Sequence, residues 1–243
     1  MKLHPSFEEF ERGWSAGRNQ LVHARLAADL DTPVSLMLKL AEARTDTFML
    51  ESVTGGEVRG RYSIVGMKPD LIWQCHGTQS RINREARFDK AAFTDLAGHP
   101  LETLRTLLAE CRIDLPEGLP AVSAGLFGYL GYDMIRLVET LPNVNPDPLG
   151  LPDAVLMRPS VVAVLDGVKG EVTLVAPAWV ASGLSARAAY AQAAERVMDA
   201  LRDLDRAPAA PRDLGEAAQV GEMQSNFTHD GYKAAVEKAK DYI

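Results

Sequence analysis

The chain is poor in several features that would point early to a function. Among its 243 residues there are two cysteines, Cys75 and Cys111. They are too few and too far apart for a zinc site or a disulfide framework, and each reads as a small core residue. Positive charge is in deficit too. The formal net charge is −7, whereas a general nucleic-acid binder neutralises phosphates with a basic patch. Arg81, Arg84 and Arg87 come nearest to such a patch, but Glu85 and Asp89 lie among them and the stretch reads as solvated. No run approaches the roughly 18 consecutive apolar residues of a membrane span, and MKLHPSFEEF has no apolar signal core. The expectation is a soluble, cytoplasmic protein with no nucleic-acid and no membrane partner.

Catalytic constellations are missing as well. The five histidines, at 4, 23, 76, 99 and 229, form no H-x-x-x-H pair. There is no G-x-S-x-G elbow and no cysteine in a glycine-rich turn. In GLFGYLGYD, Gly125, Gly128 and Gly131 recur every three residues. They lack the Lys-Ser/Thr ending of a P-loop and the G-x-G start of a dinucleotide fingerprint, and glycines within a strand more often permit close backbone approach. The paired acids Glu8-Glu9 and Asp203/Asp205 fall on charged faces. No catalytic residue and no metal ligand is expected in these 243 residues.

What is present is an ordinary globular mixture, 47% apolar and 24% charged. Phe7, Phe10 and Trp14 at helical spacing predict a first short helix, followed by an extended NQLVHARLAAD. Thr32-Pro33 starts a second helix, because Thr caps free N–H groups and Pro at the first position loses no bond. Its Leu36, Met37, Leu40 and Ala41 share a face. Strands are predicted on both sides of Gly55-Gly56, then at DLIWQCHG and QSRIN. A helix begins at Pro100 with Leu101, Leu104, Leu107 and Leu108 inward. Strands return at SAGLFGYLGYD and VLMRPSVVAVLDG, the latter meeting EVTLVAPA across DGVKG. Residues 183–204 read as a long helix. Thr228 caps a last helix whose stripe of Tyr232, Val236, Ala239 and Ile243 reaches the final residue and calls for a partner surface.

Strand blocks interrupted by helices, without regular βα alternation, predict an α+β fold of largely antiparallel β-sheets with helices packed outside. The expected organisation is a domain over 1–205, a Pro- and Ala-rich linker or exposed excursion over 206–224, and a helix over 225–243 that leads onward.

One stretch resists a purely structural reading. In FMLESVTGGEVRGRYSIVG, residues 48–66, the glycines make a hairpin, but Leu50-Glu51-Ser52 is more than a hairpin needs. A carboxylate and a hydroxyl at one strand end suit an ammonium group with polar backbone nearby, such as a free amino acid. The simpler reading is a capped hairpin with Glu51 paired to Arg59 or Arg61.

This stretch resembles the L-L-E-S-x-x-G-G-x-x-x-G-R-Y-S-x-x-G segment of the large subunit of anthranilate synthase, component I. ADLDTPVSLMLKL, SAGLFGYLGYDMIRLVE and SNFTHDGYKAAVEKAKDYI are similar to further blocks of that family, in the family's order. The resemblance implies the N-terminal half of an enzyme that converts chorismate and ammonia to anthranilate and pyruvate. In that family the ammonia comes from glutamine through a glutamine amidotransferase partner in a heterotetramer, and L-tryptophan inhibits by feedback. It implies that Leu50, Glu51 and Ser52 belong to the tryptophan site. It also implies that Mg²⁺ and chorismate bind in a C-terminal half beyond Ile243, so that this portion alone is inactive. Three alternatives stay open: the related large subunit of aminodeoxychorismate synthase, a stand-alone tryptophan-binding module, and a scaffold for the glutaminase subunit.

Overall fold

A computed structural model describes residues 2–41, 45–51, 60–142, 146–206 and 221–243. The chain divides into two compact units, Met1–Ala209 and Ala210–Ile243. The first carries helices α1 (Phe7–Ser15), α2 (Pro33–Ala41), α3 (Pro100–Glu110) and α4 (Ala186–Leu204). Its strands are β1 (Gln20–Ala27), β2 (Phe48–Leu50), β3 (Tyr62–His76), β4 (Gln79–Asn83), β5 (Phe93–Leu96), β6 (Phe127–Leu130), β7 (Ala154–Asp166) and β8 (Glu171–Ala178). Among the described residues these strands form one antiparallel sheet in the order β1-β8-β7-β3-β4-β5, with β2 added to β3 and β6 to β7. The fold is therefore α+β with an antiparallel sheet.

Local chemistry starts the helices where the sequence predicts. Ser6 and Glu9 form a reciprocal capping box on α1. The Ser35 amide donates to Thr32 Oγ1 at 3.1 Å at the head of α2. Ser185 caps α4 through the Ala188 amide. In the second unit, Thr228 accepts from the Gly231 amide to cap α5 (His229–Lys240), whose residues Tyr232, Val236 and Ala239 are exposed. The helix ends at Lys240, short of Ile243. The predicted linker falls mostly on residues outside those described.

The sequence predicts two strands over 62–76, and the structure has one. Two prolines face each other in its middle, Pro69 of β3 opposite Pro159 of β7. Proline cannot donate to a ladder, and here the register shifts between Pro69 and Leu71 while Lys68 adopts φ 51°. The extra residue flips the pleat, so every later side chain changes face. Before the bulge, Val65 and Met67 join a core built by α1, α2 and α4, with Phe10, Leu36, Leu40, Ala193 and Val197. After it, Leu71, Trp73 and Cys75 join a second core with Leu104 and Leu107 of α3. Residues of β7 do not flip. Val162 and Val164 share the face of Ala154 and Leu156, and there a third cluster forms with Leu21, Ile64 and Val175. One sheet thus carries three helices on one face and α3 on the other.

Two further predictions need correction. Leu108 is 52% exposed, because α3 packs through Leu104 and Leu107, with Leu101 at the margin. SAGLFGYLGYD is strand only over Phe127–Leu130, after which Tyr132–Leu137 winds into a 3-10 helix. The four-residue β5 carries too short a pattern to be read from the sequence. Among the described residues no helix is long and apolar enough to cross a membrane.

Candidate functional site

The strand end at Leu50-Glu51 is positioned by β2, which has only three residues. So short an edge needs side-chain anchors, and Phe48 supplies them. It lies opposite Gly66 of β3, where the missing side chain leaves room for the ring; a Cβ on Gly66 would sit 2.2 Å from two ring atoms. On its other side Phe48 stacks on Phe127 of β6, centroids 4.6 Å apart and planes 23° from parallel. Phe127 is held in turn against Met157 of β7. The next residue, Gly128, lets the two backbones close up, since a Cβ there would fall 1.8 Å from the Val155 carbonyl oxygen. Close approach is thus what this glycine provides.

Leu50 pairs with Ile64 and shares the Phe48 face by strand alternation, with half its surface exposed. Glu51 follows directly and is exposed. Ser52 lies outside the described residues, as do Gly55, Gly56 and Arg59. The structure thus places two of the three predicted site residues side by side at an open strand end. Leu50 shares the face of the stacked Phe48 and Phe127 rings, and the exposed Glu51 is the next residue along the chain.

The return strand is tied down elsewhere. Arg61 forks onto Asp166, Nε to Oδ1 at 2.9 Å and Nη2 to Oδ2 at 2.6 Å. The Arg61 hydrogen bonds hold the Asp166 carboxyl below its ordinary range, against the opposing effect of burial and with help from the Lys169 and Val168 amides. Sequence reasoning missed this pair and the Phe48–Phe127 stack. Their members lie far apart in the chain, and neither carries a local pattern.

The remaining candidates behave as structural groups. Cys75 and Cys111 are free and buried, and burial pushes both thiols up, away from reactive thiolate. His99 caps α3 by accepting from the Leu101 amide. His23 is buried and held neutral, its pKa lowered to about 4 by burial, with His4 and Arg25 adding repulsion. Arg81 lies on β4 with both its Nε and Nη2 on Gln74 Oε1, and Arg84 forks onto Glu110. Among the described residues no three His, Cys, Asp or Glu side chains gather to hold a metal ion.

Comparison with known proteins agrees with the resemblance. Over 238 residues the chain is 85% identical to anthranilate synthase component 1 of Cereibacter sphaeroides, covering 98% of this chain and 48% of that protein. It is 38% identical to the Pseudomonas aeruginosa component 1 over 97% of this chain and 48% of that protein. The Thermus thermophilus component 1 is 36% identical over 89% of this chain and 42% of its own length. The chain therefore spans about half the length of the curated relatives it matches. In fold it is similar to the crystal structure of anthranilate synthase component I from Streptococcus pneumoniae. That match has a TM-score of 0.52 at 20% identity, and covers 90% of this chain and 44% of that one. The family described as chorismate binding enzyme matches residues 59–243, beginning just after the Leu50-Glu51-Ser52 stretch. Matched over most of its length, the chain belongs to the family of chorismate-binding enzymes.

Proposed function

We propose that this chain is the tryptophan-sensing, N-terminal part of an anthranilate synthase component I. The complete enzyme converts chorismate and ammonia to anthranilate and pyruvate for tryptophan biosynthesis. The observation that carries this reading is the 85% identity, across nearly the whole chain, to a protein named for that component. In the proposal Mg²⁺ and chorismate bind in a second half, a glutamine amidotransferase subunit supplies ammonia, and the assembly is a cytoplasmic heterotetramer.

One structural feature supports the division of labour. The segment around β6 exposes Leu130, Tyr132, Val138, Leu149 and Leu151, apolar surface of the kind a second domain covers. Glu51 and Ser52 would take the amino group of L-tryptophan and its polar surroundings, and Leu50 would lie against its apolar body. A ligand shifts an equilibrium only through its different affinity for two states. Tryptophan held at this strand end would favour the arrangement of the halves less competent in catalysis.

The test is an assay of the intact protein with chorismate, ammonium and Mg²⁺, read by anthranilate fluorescence while tryptophan is titrated. Anthranilate formation that tryptophan suppresses is the expected result. Formation of aminodeoxychorismate, or a rate indifferent to tryptophan, would overturn the reading.

A further inference from the structure

Beside the end of β8 the chain forms a cavity of about 240 Å³, lined among others by Asp70, Arg84, Arg87, Trp179, Gln192 and Arg196. Its electrostatics do not balance. Arg84, Arg87 and Arg196 line it, and a fourth guanidinium, Arg158, lies over the Trp179 ring at 4.5 Å. Two carboxylates answer these four, and both are engaged. Asp70 Oδ1 accepts from Arg158 Nε at 2.7 Å. Glu110 accepts from both terminal nitrogens of Arg84, each at 2.7 Å, and from Arg158 Nη1 at 3.5 Å.

Arg196 and Arg87 are left over. Arg196 donates Nη2 to the Pro177 carbonyl at 2.9 Å, while its buried Nε has no partner. Arg87 has no hydrogen bond or ion pair among the described residues. Burial draws the Arg196 pKa down, opposed by Asp70 and reinforced by repulsion from Arg87 and Arg158. A desolvated charge that is only partly answered is costly, and Asp70, the carboxylate that offsets it, is already bonded to Arg158.

We infer that this cavity binds a small anion of the carboxylate or phosphate class, held by Arg87 and Arg196, with Trp14, Phe88 and Trp179 as its apolar wall. Guanidinium forks match the paired oxygens of such anions, and an aromatic wall accommodates a short apolar or planar body. The volume is below the roughly 300–1,000 Å³ of drug-sized pockets, which restricts the ligand to a small metabolite. Neither Leu50 nor Glu51 lines this cavity, so the inference does not rest on the proposed tryptophan site.

The experiment titrates the intact protein with inorganic phosphate and, separately, with benzoate, by calorimetry and by tryptophan fluorescence, since Trp14 and Trp179 both line the cavity. Saturable binding of at least one probe is expected, and the one that binds assigns the class. Arg196→Gln and Arg87→Gln should each weaken it by about 10–150-fold, the range for a lost charge-assisted hydrogen bond. Arg87 is exposed and unbonded, so Arg87→Gln leaves the fold intact and decides the matter even where Arg196→Gln does not fold. No saturation with either probe, or binding that a folded variant leaves unchanged, overturns the assignment.

Discussion

Arg61 grips Asp166 with two hydrogen bonds, at 2.9 and 2.6 Å, joining the residue just before β3 to the end of β7, where the turn to β8 begins. The pair spans 105 residues of chain and is largely shielded from solvent. Because the folded Asp166 carboxyl titrates below its ordinary value, its contribution to stability is complete above the unfolded value and is lost as pH falls through the folded one. Arg61→Ala should cost about 1–2 kcal/mol at pH 7. The urea midpoints of the two proteins should converge in acid, and a gap that persists at pH 2 would refute this account.

Gly128 and Gly66 predict different penalties for the same substitution. At Gly128 the added Cβ meets the rigid Val155 carbonyl at 1.8 Å, so Gly128→Ala should cost roughly 3 kcal/mol or more, or detach β6 from β7. At Gly66 it meets the Phe48 ring, which can swing away at the expense of its stack on Phe127. Gly66→Ala should then cost about 1 kcal/mol, and almost nothing in a Phe48→Ala background. Thermal unfolding of the four variants tests both statements, and equal costs at the two glycines would contradict them.

His23 gives stability a slope at mildly acidic pH. Its folded pKa, about 4, lies below the ordinary histidine value of about 6.5, so the unfolded chain takes up a proton that the folded one resists. Stability is complete above pH ~6.5 and falls by roughly 1–3 kcal/mol as pH drops toward ~4. His23→Gln should flatten urea midpoints measured between those pH values. An unchanged slope would mean that His23 is not the group responsible.

The proposed tryptophan site predicts separable effects on regulation and catalysis. Ser52→Ala and Glu51→Gln should each weaken tryptophan inhibition of the intact enzyme by about 5–150-fold, as expected when a ligand loses a hydrogen bond. Uninhibited turnover should be unchanged, since neither residue is assigned to chemistry. Inhibition curves that superimpose on the parent's would remove these residues from the site.

Much of the framework was legible in the sequence because it rests on local chemistry. Thr32 with Pro33 and Thr228 read as helix starts and cap α2 and α5, and the structure adds Ser6 with Glu9 on α1 and Ser185 on α4 by the same local chemistry. Runs rich in valine and leucine wrote β7 and β8, and the DGVKG turn joined them. What local pattern could not convey was the bulge at Pro69. Val65, Met67, Leu71, Trp73 and Cys75 keep one odd-numbered series, yet they enter opposite cores. The sequence read two strands there, and only pairing with β7, Pro69 opposite Pro159, made them one strand that switches faces.

The same division holds at the sites. The sequence by itself determined the two strands that pair around the glycines, the acidic residue that follows the first of them, and the family resemblance, because these are properties of neighbouring residues. Tertiary structure decided what anchors that end: a phenylalanine accommodated by Gly66 and stacked on Phe127, and an arginine closed on Asp166. It also decided that arginines from the loop after β4, from β7 and from α4 would crowd two carboxylates. Charge balance in a folded protein is set by distance through space, and a sequence orders residues only along the chain.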